Sequence, residues 1–454
     1  MTDTIAAIST PLGEGGIGIV RLSGPKAEAI ARQLFHPRRP VKKWHSHRLY
    51  LGHIRDSQGQ VIDEVLLALM RAPHSYTRED VVEINCHSGY LVLRRILEEA
   101  LVRGARLARP GEFTLRAFLS GRLDLTQAEA VLEVIQARTQ AGLRVAAAHL
   151  QGGLGQQVRK IREELINLLA QVEAALDFPE EAQELEPDAI KSGLALPRHL
   201  LGQLCDTYRE GRLLREGLAV VIAGRPNVGK SSLLNRLLAA DRAIVTEIPG
   251  TTRDVIEESL AIQGIPVRLS DTAGLREAAG DRVEELGMAR TKDRLEQADV
   301  VLYLVDGSQP LAPEDRRLLK ELTGRAGLAV INKADLPQRL SEKELEEATT
   351  FPRLRISALT GQGLEDLKQA IVDLASAGGV QHEGEIVTQA RHHRHLANCL
   401  DSLLKAQNLL GPETPWELVA EELRAAIREL GEITGEEVGE DILDRIFAQF
   451  CLGK

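Results

Sequence analysis

Hydrophobic and polar positions alternate in short runs over residues 1–120. Segments rich in Val, Ile and Leu at 17–22, 61–70 and 81–86 are bounded by glycines or polar turns and predict strands. The segment 90–104 instead repeats its apolar residues at helical spacing and ends in glycine, which is typical of a helix. The pattern therefore predicts a mixed α/β domain over these 120 residues.

Beyond residue 120 the apolar positions recur at helical spacing. Ala-, Leu-, Gln- and Glu-rich stretches predict long amphipathic helices over 121–217, interrupted at 180–190 by an acidic segment in which Pro187 predicts an exposed turn. Helical character returns over 380–454, and between the two stretches strands and helices alternate. The simplest organisation is a helical domain made from two stretches with an α/β domain, 218–379, inserted between them.

Composition is that of a folded protein without a membrane segment. The chain has 454 residues, of which 43% are hydrophobic and 27% charged, and no apolar run approaches the roughly 20 residues that a spanning helix needs. No basic segment followed by an apolar core begins the chain, so no secretory signal is expected. The four cysteines lie far apart and fit reduced thiols in the cytoplasm: Cys86, Cys205, Cys399 and Cys451.

The segment 224–232, GRPNVGKSS, has the spacing of a phosphate-binding loop between an apolar strand and a helix. Its glycines allow backbone N–H groups to face a phosphate, to which the helix N-terminus adds positive potential. Lys230 is expected to reach the β- and γ-phosphates and Ser231 to bind Mg²⁺. The alternative is an ordinary glycine-rich turn.

Three later motifs resemble the set found in GTPases. Asp271, in DTAG, ends an apolar run and is expected in the Mg²⁺ shell, with the Gly274 N–H near the γ-phosphate. Asp335, in NKAD, can accept both N–H groups of a guanine edge, and the SAL segment 357–359 can support the base. The segment 246–254, TEIPGTTRD, resembles a first switch that orders on triphosphate.

Two features bear on hydrolysis. The residue after DTAG is Leu275 rather than the glutamine that positions water in Ras-type proteins, which leaves Glu277, Glu284 and Glu285 as candidates. From the sequence alone, a solvated helix face is the favoured interpretation of these three glutamates. The amide oxygen of Asn227 suits a monovalent cation that supplies positive charge beside the phosphates. A tight turn explains Asn227 as well.

Together with the GTPase motifs, three N-terminal blocks and the terminal CLGK resemble the MnmE (TrmE) family of tRNA-modification GTPases. The N-terminal blocks are GGIGIVRLSG, EDVVEINCHSG and ARPGEFTLRAFLSGRLDLTQAEA, so the resemblance extends over essentially the whole chain. It implies a P-loop GTPase domain inserted into a helical domain, preceded by a mixed α/β domain that binds folate and forms a homodimer.

The resemblance also implies partners and cofactors. With MnmG (GidA), a flavoprotein that carries FAD, such proteins form a heterotetramer and add a carboxymethylaminomethyl-type group to C5 of the wobble uridine of tRNA. The one-carbon unit comes from a tetrahydrofolate derivative, in its 5-formyl or 5,10-methylene form. GTP hydrolysis is stimulated around K⁺, with Mg²⁺ on the phosphates.

Individual residues match the family's motifs by position. Ser231 and Thr252 match Mg²⁺ ligands, and Glu284 matches the water-orienting glutamate, which makes it the predicted catalytic residue with Lys230. Cys451 matches a functional terminal cysteine. The K⁺ positions are Asn227, Thr246, Ile248 and Thr251, and the folate positions are Arg21, Glu83, Arg122 and Lys454. The full set expected to contact GTP is Asn227, Val228, Gly229, Lys230, Ser231, Ser232, Thr246, Glu247, Ile248, Pro249, Gly250, Thr251, Thr252, Asp271, Thr272, Ala273, Gly274, Asn332, Lys333, Asp335, Ser357, Ala358 and Leu359.

Taken without the family, the folate positions have ordinary interpretations. Arg21 fits a salt bridge at a strand end, Glu83 the polar face of a strand, and Lys454 a frayed terminus. At Arg122 the resemblance implies a lysine instead, so the charge is kept but the donor geometry differs. Cys451 fits a small packed side chain.

Charge leaves the nucleic-acid question open. The formal net charge of −10 disfavours a general nucleic-acid coat, yet residues 94–122 hold seven arginines against three glutamates. These arginines fit contact with tRNA phosphates, folate glutamates or the partner, or a solvated helix face. The alternative functions are a regulatory GTPase switch in ribosome assembly and an inactive G-domain scaffold.

Overall fold

The computed structural model describes residues 2–13, 15–177, 185–241, 258–271, 298–376 and 384–454. The N-terminal region is a seven-stranded sheet whose strands are β1 (Ile5–Ile8), β2 (Gly18–Ser23), β3 (Phe35–Pro37), β4 (Arg48–Arg55), β5 (Val61–Met70), β6 (Val81–Cys86) and β7 (Arg106–Leu107). The strand order is β3-β4-β5-β6-β2-β1-β7, and only the β1–β7 pair is parallel. Helices α1 (Ala27–Leu34) and α2 (Tyr90–Val102) share the buried core of this sheet.

Among the residues described between 112 and 216, five helices follow the sheet: α3 (Glu112–Leu119), α4 (Leu125–Gln136), α5 (Gln140–Leu150), α6 (Gly153–Asp177) and α7 (Pro187–Glu216). The prediction of an exposed turn through Pro187 is wrong for residues 187–190, because Pro187 opens α7. Proline lacks the N–H that would have no partner in the first helical turn, and its φ is already helical. An acidic residue, Asp188, in the same turn suits the positive end of the helix.

The inserted region is a six-stranded sheet with helices. Its elements are β8 (Leu218–Ala223), α8 (Lys230–Asp241), β9 (Glu258–Ile262), β10 (Ile265–Asp271), β11 (Val300–Asp306), α9 (Pro313–Glu321), β12 (Gly327–Asn332), α10 (Glu342–Ala348), β13 (Arg353–Arg355) and α11 (Leu364–Ser376). The order is β13-β12-β11-β8-β10-β9, with every neighbouring pair parallel except β9–β10. The central strands are buried on both faces, as their unbroken apolar sequences predict.

The chain then returns to the helical region as α12 (Ala390–Leu409), α13 (Trp416–Thr434) and α14 (Glu440–Phe447). Apolar side chains of α12 and α13 form one core with those of α6 and α7, which precede the inserted sheet. The predicted architecture, an α/β domain inserted into a helical one, is therefore confirmed. In the described residues, no helix is both long and apolar enough to cross a membrane.

The returning segment 384–389 is held by helices that precede the insertion. The Val387 N–H donates to the Thr207 hydroxyl of α7 at 3.0 Å, and the Thr388 hydroxyl donates to Glu133 of α4 at 2.7 Å. Leu218 starts β8 two residues after α7 ends. Both connections of the inserted domain therefore lie at α7.

Candidate functional site

Four of the loops that the structure describes lie at one edge of the inserted sheet. Parallel strands β8, β11, β12 and β13 end there, and in an open α/β sheet ligands bind outside these carboxyl ends. Strand β8 leads into the loop 224–229, β11 ends at Asp306, β12 ends at Asn332, and β13 leads to Ser357. The strand order therefore brings together segments that lie up to 133 residues apart in the sequence.

The loop 224–229 has a backbone that requires glycine. Gly229 has a φ of +101°, and a Cβ added there would overlap Nδ2 of Asn332. Only a residue without a side chain fits both that dihedral angle and that contact. Helix α8 begins at the next residue, so its free N–H groups point into the loop. This arrangement is a cradle for phosphate.

The Lys230 side chain packs against the backbone of this loop. It is 6% exposed, and Nζ donates to the carbonyl oxygens of Gly224 at 2.9 Å and Arg225 at 2.8 Å. A buried ammonium needs such acceptors. The loop thus holds a buried positive charge directly at the start of α8.

Asn332 joins three of the loops. Its Nδ2 donates to the Val228 carbonyl at 2.8 Å, and its Oδ1 accepts the N–H of Ala358 at 3.0 Å. The side chain is buried, so both bonds are shielded from water. The phosphate loop and the SAL segment are therefore fixed relative to each other through one side chain.

Asp335 lies at the exposed end of this arrangement. Its Oδ1 accepts a hydrogen bond from the buried Ser357 hydroxyl at 2.6 Å, and the Thr360 N–H donates to the same hydroxyl at 3.1 Å. The carboxylate is held in one orientation while the residue stays open to solvent. Leu359, beside it, is also exposed.

Asp306 was not singled out by the sequence. It accepts a hydrogen bond from Lys333 Nζ at 2.6 Å. Although burial opposes ionisation, bonds from Lys333 and Ser308 hold the pKa of the Asp306 carboxyl below its ordinary value. Its position at the end of an apolar strand could have identified it from the sequence, because Asp271 is predicted from the same pattern. Asp306 positions Lys333 of the NKAD motif.

A second cluster forms on the N-terminal sheet. Arg21 and Glu83 face each other in the β2–β6 register, with Arg21 Nε at 2.9 Å from Glu83 Oε1. Arg21 Nη1 also donates to the Gly453 carbonyl at 3.2 Å. The salt bridge expected at this strand is therefore present. Its arginine also contacts the C-terminal tail through Gly453.

Tyr76 joins Arg21 to Arg122. The Arg122 guanidinium lies 4.7 Å from the Tyr76 ring centroid and donates to the Tyr76 carbonyl at 3.1 Å, while Arg21 lies 6.0 Å from the same ring. An aromatic face attracts cations, so it holds two like charges near each other. Nothing in the pattern around Tyr76 distinguished it.

The C-terminus packs against this cluster. The Phe113 N–H donates to the Lys454 carbonyl at 3.2 Å, and a Cβ on Gly453, whose φ is +86°, would overlap the Ile8 carbonyl. The interpretation of Lys454 as a frayed terminus is therefore wrong. Burial, together with the charge of Arg21, holds the pKa of the Lys454 ammonium below its ordinary value. The interpretation of Cys451 as a small packed side chain is also wrong, because Cys451 is exposed.

Comparison with known proteins gives two family matches. The model of the MnmE helical domain matches residues 125–451, and that of the TrmE N-terminus, described as a GTP-binding protein, matches residues 4–122. The chain is also 48% identical to the tRNA modification GTPase MnmE of Moorella thermoacetica and 49% to that of Symbiobacterium thermophilum, over 100% of this chain and 100% and 99% of theirs.

The chain belongs to the MnmE family of tRNA modification GTPases. Among solved structures, it is similar to the G domain of the iron transporter FeoB of T. maritima, with 28% identity over 35% of this chain and 98% of that one and a TM-score of 0.27. The assignment of the GTPase fold in this MnmE-family chain rests on its strand order and loop geometry rather than on that superposition.

Several predicted MnmE residues lie outside the described ranges. They are Thr246, Glu247, Ile248, Pro249, Gly250, Thr251 and Thr252 of the switch, Thr272, Ala273 and Gly274 of DTAG, and Glu284. Asp271 ends β10, where its backbone pairs with that of Ile222 in β8, so the described structure places it beside the phosphate loop.

Proposed function

We propose that this MnmE-family GTPase binds and hydrolyses GTP as a step in tRNA modification. The observation that carries the proposal is the pair of bonds from Asn332 to the phosphate loop and the SAL segment. They fix the distance between a phosphate cradle and the oriented carboxylate of Asp335. A guanine base fits that carboxylate because its N1–H and 2-amino group donate, whereas adenine offers no such pair.

The phosphate cradle fits the Mg²⁺ complex of a nucleoside triphosphate. Lys230 and the N–H groups of the loop supply positive charge, and a Cβ at Gly229 would overlap the Asn332 amide that fixes the loop. Ser231 begins α8 with Lys230, and with Thr252 and Asp271 it would hold Mg²⁺. The ion neutralises charge on the phosphates when bound.

Hydrolysis in this proposal depends on a monovalent cation. Asn227 has a φ of +65° in the loop, and its side chain makes no hydrogen bond to any residue in the described ranges. An amide oxygen in that position suits K⁺, with Thr246, Ile248 and Thr251 as the other ligands. Glu284 orients the attacking water, since Leu275 has no polar group.

The cation requirement can be measured directly. GTP turnover is compared in KCl and NaCl at equal ionic strength, with the full chain and with Asn227→Ala. We expect turnover to be at least tenfold faster in K⁺, and the variant to lose that difference while retaining affinity for GDP. Equal turnover of the full chain in the two salts contradicts the cation role.

The cluster of Arg21, Glu83, Arg122 and Lys454 supports a site for a tetrahydrofolate derivative, in its 5-formyl or 5,10-methylene form. Folates carry carboxylates and a flat ring system, which match clustered cations beside the Tyr76 ring. When bound, the derivative supplies a one-carbon unit. Cys451 lies in the tail that packs against this cluster, and we include it as a candidate for the modification chemistry.

Homodimerisation through residues 1–120 is part of the proposal. One face of the β4–β5 hairpin carries Leu49, Leu51 and Leu66, which are 63%, 42% and 41% exposed. Apolar residues clustered on one sheet face favour burial against another surface. MnmG (GidA), with its FAD, is the proposed partner in a heterotetramer, and the domain limits proposed are 1–120, 121–217, 218–379 and 380–454.

The tRNA function is tested in cells. Nucleoside analysis of tRNA from cells without this chain should lack the carboxymethylaminomethyl-type group at the wobble uridine, and expression of the chain should restore it. Unchanged nucleosides together with defective ribosome assembly would support the regulatory-switch alternative instead.

A further inference from the structure

A second basic segment, unlike the arginines of 94–122, has no carboxylates among its own residues. Residues 38–48, called here the basic loop, run from the end of β3 to the first residue of β4 and contain no aspartate or glutamate. The sequence continues without a carboxylate to Asp56. In a chain with a net charge of −10, this is a strong local excess of positive charge. The cations of the loop are Arg38, Arg39, Lys42, Lys43 and Arg48.

The arginines of 94–122 are mostly neutralised within the fold. Arg94 bonds Glu98 at 2.7 Å, Arg95 bonds Asp56 at 2.6 Å, and Arg103 pairs with Glu99. Two others, Arg106 and Arg116, share Asp3 and Glu112. An arginine whose charge a carboxylate already balances contributes little to a phosphate contact. The stretch that looked most basic in the sequence is therefore a weak candidate for binding RNA.

The cations of the basic loop are not neutralised in this way. Arg38 lies 4.0 Å from Glu64, at the limit of an ion pair. Within the described part of the chain, the other four make no ion pair with a carboxylate, and all four are exposed: Arg39, Lys42, Lys43 and Arg48. Uncompensated like charges on one loop repel one another, so an anionic partner stabilises them.

The loop is anchored at its centre. The Trp44 ring packs against Tyr50, with 4.7 Å between centroids, and Arg32 lies 5.2 Å from it. The Trp44 carbonyl accepts a bond from Arg71 at 3.0 Å, and the His47 N–H donates to the Leu69 carbonyl at 2.7 Å. The backbone that carries the cations is thus held on the sheet, which lowers the entropy lost when they bind a ligand.

We propose that the basic loop binds the phosphate backbone of tRNA. This inference rests on the proposed function, which supplies a polyanion as the macromolecular substrate. A row of exposed, unpaired lysines and arginines recognises phosphates independently of sequence, and their binding releases counterions. The loop therefore contributes affinity and orientation, and no base specificity.

The test measures binding of labelled tRNA to the full chain by fluorescence anisotropy as a function of salt. The loop variant carries Arg39→Gln, Lys42→Gln, Lys43→Gln and Arg48→Gln. The control removes four exposed but paired cations elsewhere, by Arg94→Gln, Arg317→Gln, Arg353→Gln and Arg424→Gln. Both variants change the net charge by the same amount, so a difference between them reports on position.

We expect the loop variant to bind tRNA at least tenfold more weakly at low salt, and the control to stay within about threefold of the unmodified chain. The slope of log K against log salt should flatten by about 3, since each phosphate contact contributes about 0.7 to 0.9. Lys42→Gln with Lys43→Gln alone should give about half that change. Equal losses in the two fourfold variants, an unchanged loop variant, or no tRNA binding by the unmodified chain at low salt each overturns the proposal.

Failure of this inference is distinguishable from failure of the proposed function. GTP turnover should be unchanged in the loop variant, because the loop lies on the N-terminal sheet and outside the nucleotide site. If the unmodified chain restores the modified nucleoside in cells and the loop variant binds tRNA normally, only the loop assignment is wrong. If the unmodified chain does not restore the nucleoside, the proposed function itself is wrong.

Discussion

At the scale of single residues, base selection depends on the charge of Asp335. Asp335→Asn replaces an acceptor oxygen by a donor amide, so the guanine N–H groups lose a partner while the 2-oxo group of xanthine gains one. We expect affinity for GDP to fall at least a hundredfold and affinity for xanthosine diphosphate to rise. Calorimetric titration measures both. Glu342 is an exposed carboxylate nearby in the sequence, and Glu342→Gln serves as the control. It should change neither the affinity for GDP nor that for xanthosine diphosphate.

Gly229 allows a second test with a matched control. Gly229→Ala places a Cβ against Asn332 Nδ2 at a positive φ, whereas Gly324 has a φ of +90° with nothing within 4 Å of an added Cβ. Both alanines carry the backbone strain, of about 1–2 kcal/mol, but only the first disturbs the cradle. GDP affinity should therefore fall more than tenfold in Gly229→Ala and less than twofold in Gly324→Ala. Similar losses would show that strain, and not the Asn332 contact, is responsible.

Some residues of the two clusters can be predicted from a local motif, and others cannot. The phosphate-loop residues follow from a short local motif, and the structure brings them together with Asn332 and Asp335 as the strand order requires. Arg21 and Lys454 have no local signal in the sequence. Arg21 meets the C-terminal tail through the Gly453 carbonyl, 432 positions away, and the Lys454 carbonyl accepts the N–H of Phe113. The family resemblance, rather than periodicity, pointed to them.

At the scale of elements, helix α13 provides a direct test of the helical core. Leu430 is fully buried between α6 and α12, while Leu418 on the same helix is 49% exposed. Leu430→Ala should destabilise the helical domain by about 2–5 kcal/mol, through lost burial and the cavity that remains. Leu418→Ala should cost less than about 1 kcal/mol. Urea unfolding followed by far-UV circular dichroism measures the shift, and equal shifts would contradict this core assignment.

The elements themselves were predictable to different degrees. Strand β5 has the bounds predicted from its Val-, Ile- and Leu-rich composition, and β6 has the bounds predicted from its alternation of apolar and polar residues. The start of α7 differs from the predicted turn at Pro187. Proline favours turns, but it is also tolerated in the first turn of a helix, and the sequence does not distinguish the two. Strands β3 and β7 are only 3 and 2 residues long, which is too short for any period to be visible.

At the scale of the whole molecule, a buried ion pair joins the two halves of the helical domain across the insertion. Glu129 of α4 bonds Arg391 of α12 at 2.9 Å and His392 at 2.7 Å. Burial raises the pKa of Glu129, but the charges of His392 and Arg391 outweigh it and lower the pKa from 4.5 to about 2. A carboxyl with a depressed folded pKa stabilises the fold above its unfolded pKa, and this stability is lost as the pH falls toward the folded one.

This ion pair predicts an acid-sensitive fold. Between pH 4.5 and 2 the urea midpoint of the unmodified chain should fall steeply, because the unfolded state then binds a proton that the folded state excludes. The urea midpoint of Glu129→Gln should be lower than that of the unmodified chain at neutral pH, and it should fall less steeply between pH 4.5 and 2. The exposed Glu421→Gln serves as the control and should follow the unmodified chain. Parallel curves for Glu129→Gln and the unmodified chain would rule out this carboxylate as the source.

The central claim is that one edge of the inserted sheet selects a guanine nucleotide, with its phosphates at Lys230 and its base at Asp335. Side-by-side calorimetric titration of the full chain with GDP and with ADP, in Mg²⁺ and K⁺, tests it most directly. GDP should bind with one site per chain and at least a hundredfold more tightly than ADP. Equal affinities, or no heat with GDP, would contradict the account.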